Sequence, residues 1–101
     1  MRVIDFQGIP NLAATDQSAT VSSTATLLSA LVTLHAQTRF VRVSVDTDDV
    51  RFTVSGTTPT STLGRSIPVD GDILLTEAEA ATAKFIRITT DARIQVSQYK
   101  A

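Results

Sequence analysis

The single histidine, His35, and the absence of any cysteine bound the chemistry this chain can carry. One imidazole and no thiolate leave no multi-histidine zinc set, no Cys-ligated metal or iron–sulfur centre, no disulfide frame and no thiol nucleophile. A Ser-His-Asp hydrolytic set assembles in space rather than in sequence, so spacing alone does not dismiss one. No serine stands in a G-x-S-x-G elbow, however, and Ser55-Gly56 reads as a strand end. His35 therefore reads as a loop or partly buried residue, and the expectation is a protein without catalytic residues or cofactors.

Asp46, Asp48 and Asp49 are the one carboxylate cluster in the sequence that suggests a hard cation, which wants several clustered oxygens. The EF-hand pattern fails at once, because Val50 stands at the fifth loop position and Thr57 at the twelfth, where oxygen ligands belong. A loosely organised calcium site shared with Asp70 and Asp72 competes with a plain solvated acidic turn, and the expectation is no metal. The four glycines form neither G-x-x-x-x-G-K-[ST] nor G-x-G-x-x-G, so no phosphate cradle is legible.

Seven of the nine basic residues are arginine. Arginine's planar fork suits paired carboxylates at interfaces better than lysine's point charge does. Alternation places Arg42, Arg51, Arg87 and Arg93 on the polar faces of strands, where they serve either a docking surface or cross-strand pairs with this chain's own aspartates. The aromatics are Phe6, Phe40, Phe52, Phe85 and Tyr99, with no tryptophan. Phe52 shares its parity with Val50 and Val54 and reads as core. Phe40 and Phe85 share parity with Arg42 and Arg87, which points to a second, less buried apolar surface of the kind an oligomer interface uses. The candidate interface set is thus Phe6, Phe40, Arg42, Arg51, Phe85, Arg87 and Arg93.

The chain that must position these residues has 101 residues, 43% of them hydrophobic, nine basic and ten acidic, for a formal charge of −1. That length suits one domain, and the charge balance argues against nucleic-acid or membrane-surface partners. Charge interrupts the apolar residues of Met1 to Gly8 before a signal-peptide core forms, so no export signal is expected there, and the apolar-leaning stretch 25–36 is too short and too polar to span a bilayer.

Strict alternation predicts a strand over Phe40-Val41-Arg42-Val43-Ser44-Val45 and another over Val50 to Ser55, joined as a hairpin through Asp46-Thr47-Asp48-Asp49. Gly56 to Gly64 holds too many turn formers for a central strand and predicts a long exposed loop. Ile73-Leu74-Leu75 reads as a short buried strand. The period then changes: Thr76 as N-cap, Glu79 three residues on and Lys84 at the far end predict one short helix near 77–83. Phe85 to Thr89 and Ala92 to Tyr99 alternate again, making the second half a set of antiparallel hairpins. Earlier, Ala19 to Thr26 reads as a strand followed by an irregular crossing over Ser29 to Gln37. Residues 1–17 read as an extended N-terminal arm before a β domain over 18–101. The fold expected is mainly β, a compact antiparallel β-sandwich or barrel-like domain.

The run Val50-Arg51-Phe52-Thr53-Val54-Ser55-Gly56-Thr57-Thr58-Pro59-Thr60, with Phe85-Ile86-Arg87 and the terminal Val96-Ser97-Gln98-Tyr99, resembles small β-rich structural proteins of tailed bacteriophages. The resemblance spans Phe40 to Tyr99 and rests on short hairpin motifs rather than a catalytic signature. It implies a virion component: a capsid decoration or cement protein, or a head-fibre or tail accessory piece. It further implies assembly in the host cytoplasm, a place on the phage head surface, and the major capsid protein or other virion subunits as partners. A homo-oligomer is expected, a trimer being one option because outward Phe40 and Phe85 would gain from burial. The competing function is a carbohydrate-binding or host-adhesion module using the 56–64 loop, against which the scarcity of tyrosine and tryptophan speaks.

Overall fold

The computed structural model describes residues 16–100. The expected arm therefore lies outside the described residues apart from Asp16 and Gln17, and Gln17 opens the first strand. Alternation is obeyed most fully in β3 (Phe40–Asp46), whose Val41, Val43 and Val45 are buried while Phe40 and Arg42 face outward. The same rule builds β4 (Val50–Thr53), with Val50 and Phe52 inward, and β8 (Ala92–Tyr99), with Ala92, Ile94 and Val96 inward. Around them stand β1 (Gln17–Val21), β2 (Thr26–Leu27), β5 (Arg65–Ile67), β6 (Asp72–Thr76) and β7 (Lys84–Arg87). Two four-stranded antiparallel sheets result, in the orders β1-β8-β3-β6 and β2-β7-β4-β5, and both feed one apolar core. The mainly β, sandwich-like architecture matches the expectation.

The connections do not. β3 lies in the first sheet and β4 in the second; β5 and β6 are divided likewise, as are β7 and β8. The links after β3, β5 and β7 are thus arches between sheets, and among the described strands only β4 and β5 are sequence neighbours that pair. A hairpin and an arch both send alternate apolar side chains into the same core, so the period cannot separate them. What decides is ladder occupancy. β3 pairs along its whole length with β8 on one side and over Phe40 to Ser44 with β6 on the other, leaving β4 no free edge. The β5–β6 turn closes that edge further: Asp70 N–H donates to the Val45 carbonyl at 2.7 Å and Val45 N–H to Gly71 at 3.0 Å.

Two helical pieces cover the ends. α2 (Glu77–Thr82) begins at Thr76, whose hydroxyl accepts from Glu79 N–H while the Glu79 carboxylate accepts from Thr76 N–H, the capping box the sequence predicts. α1 (Leu28–Leu31) is a single turn inside the segment expected to be irregular, and the strand expected through Thr26 stops at Val21. The reason is the spacing of Leu28 and Val32, one helical turn apart and both buried.

The loop joining β4 to β5 is exposed over most of its length, as expected, and is anchored at defined points. Pro59 is fully buried, the Thr60 hydroxyl accepts from Leu63 N–H at 2.9 Å, and Arg51 grips two carbonyls, Ser61 at 2.8 Å and Gly64 at 2.9 Å. Gly64 returns the chain to β5 at φ 123°, where a Cβ would stand 3.0 Å from the Phe52 carbonyl oxygen. Only glycine meets both demands without strain.

Candidate functional site

The outer face of the first sheet gathers three of the seven candidate interface residues: Phe40, Arg42 and Arg93. Strand register lays that face out in rows. Thr76, Phe40 and Tyr99 stand abreast at one end; Leu74, Arg42 and Ser97 follow; then Asp72, Ser44 and Gln95; and at the far end Asp46 lies beside Arg93. The face therefore runs from apolar to charged. Leu74 is 61% exposed and Phe40 39%, so the two form an open apolar strip where β6 meets β3. The short run 73–75 is thus not a buried strand: Leu75 points into the core, while Leu74 points out from a sheet edge.

Arg42 fixes the middle of the face. Its Nε and terminal nitrogen donate to one oxygen of Asp72 at 2.8 and 2.5 Å. The bond and charge of Asp72, with a hydrogen bond to Tyr99, raise the Arg42 pKa above its already high ordinary value. The charge is satisfied at the surface, so Arg42 supplies orientation more than binding energy.

The other candidates go elsewhere. Arg51 faces outward on the second sheet and is spent on the 56–64 loop. Phe6 lies outside the described residues. Phe85 overturns the reading of β7: it is 0% exposed and stacks on Phe52 with ring centroids 5.6 Å apart, so it contributes nothing to an outer surface. Alternation in Phe85-Ile86-Arg87 admits either parity, and the phenyl ring takes the interior because it faces Phe52 across the β4–β7 ladder. Arg87 shares that inward parity, stands beside Val50, and reaches Asp91 at 2.5 Å at the rim of the core.

The acidic turn is built from the carboxylates considered as cation ligands. Asp48 accepts from the Thr90 hydroxyl and from Asp49 N–H at 2.7 Å. Asp49 accepts from Val69 N–H at 2.8 Å, Asp46 from the Gln95 amide at 3.1 Å, and Asp72 is held by Arg42. Among the described residues no group of three or more His, Cys, Asp or Glu stands close enough to hold a metal ion. These carboxylates tie the arches together instead, the Asp48–Thr90 bond joining the link after β3 to the link after β7.

The Thr90 hydroxyl, and next the Asp49 amide, hold the Asp48 carboxyl below its ordinary pKa of 3.8. A carboxyl with a depressed folded pKa adds stability that is fully present above the unfolded value and lost as pH falls through the folded one. Thr90→Val is therefore expected to raise the Asp48 pKa and to shrink the stability lost between neutral pH and pH values below about 3.8. Carboxyl NMR titration of Asp48, beside urea melts at both ends of that range, reads this out; an unmoved titration would exclude Thr90 as the cause.

Sequence reasoning missed Gln98. It occupies an inward position of β8, two residues beyond Val96, and is 0% exposed. Its carbonyl oxygen accepts from His35 N–H at 2.8 Å and from the Thr38 hydroxyl at 2.7 Å, while its amide donates to the Thr33 carbonyl at 2.7 Å. This one side chain shapes the 33–38 segment that delivers Arg39 and Phe40 to the outer face. A polar residue on an apolar parity was the available signal. His35 is part of the same segment, its Nδ1 accepting from Gln37 N–H at 3.1 Å. It also lines a hollow of about 210 Å³ with Leu34, Thr38, Val41, Glu77 and Ala80.

Compared with protein-family models, with curated proteins and with solved structures, the chain matches none. No helix among the described residues is long and apolar enough to cross a membrane.

Proposed function

We propose that the chain is a non-enzymatic structural subunit of a tailed-bacteriophage virion, a decoration or cement protein that binds the head shell and stabilises it. Its partner is the major capsid protein, and neither nucleic acid nor membrane is involved. The observation carrying this reading is the outer face of the first sheet, where exposed Phe40 and Leu74 adjoin Arg42 and grade into Arg93. Exposed apolar side chains bordered by arginine are a composition that protein-docking surfaces favour. The motif resemblance over Phe40 to Tyr99 supplies the class of partner. Each copy adds modest contact area, and repetition over a shell multiplies its effect.

The test is sedimentation with empty heads at low and moderate salt. The expected result is co-sedimentation at a fixed ratio to the major capsid subunit, with Phe40→Ser losing about ten-fold or more in affinity while staying folded, its stability lowered by no more than about 1 kcal/mol. Protein left in the supernatant under both conditions overturns the decoration reading and moves a host-adhesion module or tail accessory to the front.

A further inference from the structure

The four sheet edges differ in how they are closed. β2 has two residues, β5 has three and runs into Pro68, and β1 presents Gln17, Ser18 and Thr20, with the Gln17 side chain bonded to the Thr33 backbone at 2.8 and 3.0 Å. β6 has five residues with no lysine, proline or glycine; its one charged residue, Asp72, is paired with Arg42, and its central Leu74 is 61% exposed. Among the described residues only β3 pairs with it. Hydrogen bonding of Val45 with the 70–71 turn sets the ladder phase, so that Ile73 and Leu75 turn their backbone groups to β3. Asp72, Leu74 and Thr76 turn theirs to the open edge, consistent with Thr76 N–H being free to meet the Glu79 carboxylate.

We propose that β6 pairs antiparallel with β6 of a second copy of this chain about a two-fold axis at Leu74. Leu74 then faces its own counterpart and exchanges both main-chain hydrogen bonds with it. Phe40 and Leu74 of one copy run into Leu74 and Phe40 of the other as one apolar stripe across a continuous eight-stranded sheet. Asp72 lies opposite Thr76, whose N–H already holds the Glu79 carboxylate, so the two acids approach across the seam; pairing of Asp72 with Arg42 offsets that repulsion, and Glu77, at the start of α2, is held by Arg39 at 3.3 Å. A C2 contact needs this kind of self-complementary patch. The strand is short and Thr76 N–H is engaged, so the buried area falls below the ~1,200 Å² of stable interfaces and the pairing is weak, with a dissociation constant of roughly 0.1–1 mM. The inference is independent of the virion reading, since it needs no shell.

Sedimentation of the full chain from about 20 μM to about 1 mM tests it, the range bracketing that constant. The weight-average mass is expected to climb from 10.8 kDa towards two copies. Leu74→Lys is expected to hold the mass at one copy with an unchanged melting temperature, while Leu63→Lys, on the equally open 56–64 loop, leaves association intact. Because the chain has no cysteine, Leu74→Cys gives a second readout. Hydrogen-bonded partners stand ~5.5 Å apart at Cα, within disulfide reach, so this variant is expected to oxidise to a covalent dimer at least ~10-fold faster than Leu63→Cys. A monomer throughout, as when another segment covers β6, a mass converging on three copies, association surviving Leu74→Lys, or equal oxidation rates would each overturn the proposal.

Discussion

Phe85→Ala is expected to lower the free energy of unfolding by about 3–5 kcal/mol, the range for deleting a buried phenyl ring. Among the described residues Phe85 is the largest fully buried side chain; it stacks on Phe52, and β7 carries it between β2 and β4 in the middle of the second sheet. A domain of this size has roughly 5–15 kcal/mol of stability in total, and the variant is expected to be partly unfolded at room temperature in low urea. Phe40→Ala is the matched control. Its ring is on the outer face, and the loss is expected to stay within about 1 kcal/mol. Urea melts of both variants decide the point: similar losses for the two phenylalanines would mean that the interior parity of β7 is wrong.

The second large effect belongs to Gln98. Gln98→Leu keeps the volume and removes both hydrogen-bonding ends, leaving the His35 amide and the Thr38 hydroxyl without their acceptor, while the Thr33 carbonyl keeps only the Gln17 amide. Each orphaned group costs ~1–3 kcal/mol where water does not reach it. A total of about 2–5 kcal/mol is expected, because the 33–38 segment is near the surface and recovers some hydration. The segment leads directly into β3, so its loosening reaches Arg39 and Phe40. Amide exchange is therefore expected to rise at His35 and Thr38 well before it rises at Val43, which an evenly distributed rise would contradict. Gln98→Glu sharpens the reading, since it keeps the acceptor but loses the donor to Thr33 and buries a charge. Burial raises a carboxyl's folded pKa, and a raised pKa means stability that is present at low pH and lost as pH rises through it. This variant is thus expected to be more stable near pH 4 than near pH 7, the reverse of a surface carboxylate.

These two residues also mark where sequence reading stops. Alternation located β3, β4 and β8 and set the valines of β3 on one face and Val50 with Phe52 in the core, because a pleated strand with one buried face writes its parity directly into residue type. The capping box located α2 for a similarly local reason: both partners lie within four residues of each other. In β7 the code is ambiguous, since Phe85, Ile86 and Ile88 are all apolar, and the candidate surface built on an outward Phe85 fails there. Gln98 was silent because a polar residue near a strand end normally signals exposure, and its three partners are 60 or more residues away. Of the interface candidates, Phe40, Arg42 and Arg93 share a face because β3 and β8 are neighbours. Arg51 and Arg87 are separated from them by the division into two sheets.

By itself the sequence determined the strand character of the chain, the inward faces of its clearest strands, the one capped helix and the absence of thiol or multi-histidine chemistry, all properties of residue type and near-neighbour spacing. Tertiary structure alone decided that the links after β3, β5 and β7 cross between sheets, that Phe85 lies inside, that the aspartates brace arches, and that β6, among the described residues, pairs on one side only with Leu74 exposed. The physical reason is that a period of two specifies which side chains face a core but not which strand supplies the next ladder. That choice is settled by competition for backbone hydrogen bonds among strands far apart in the chain, and β8, the last to be written, takes the place beside β3 that a local hairpin would have given to β4.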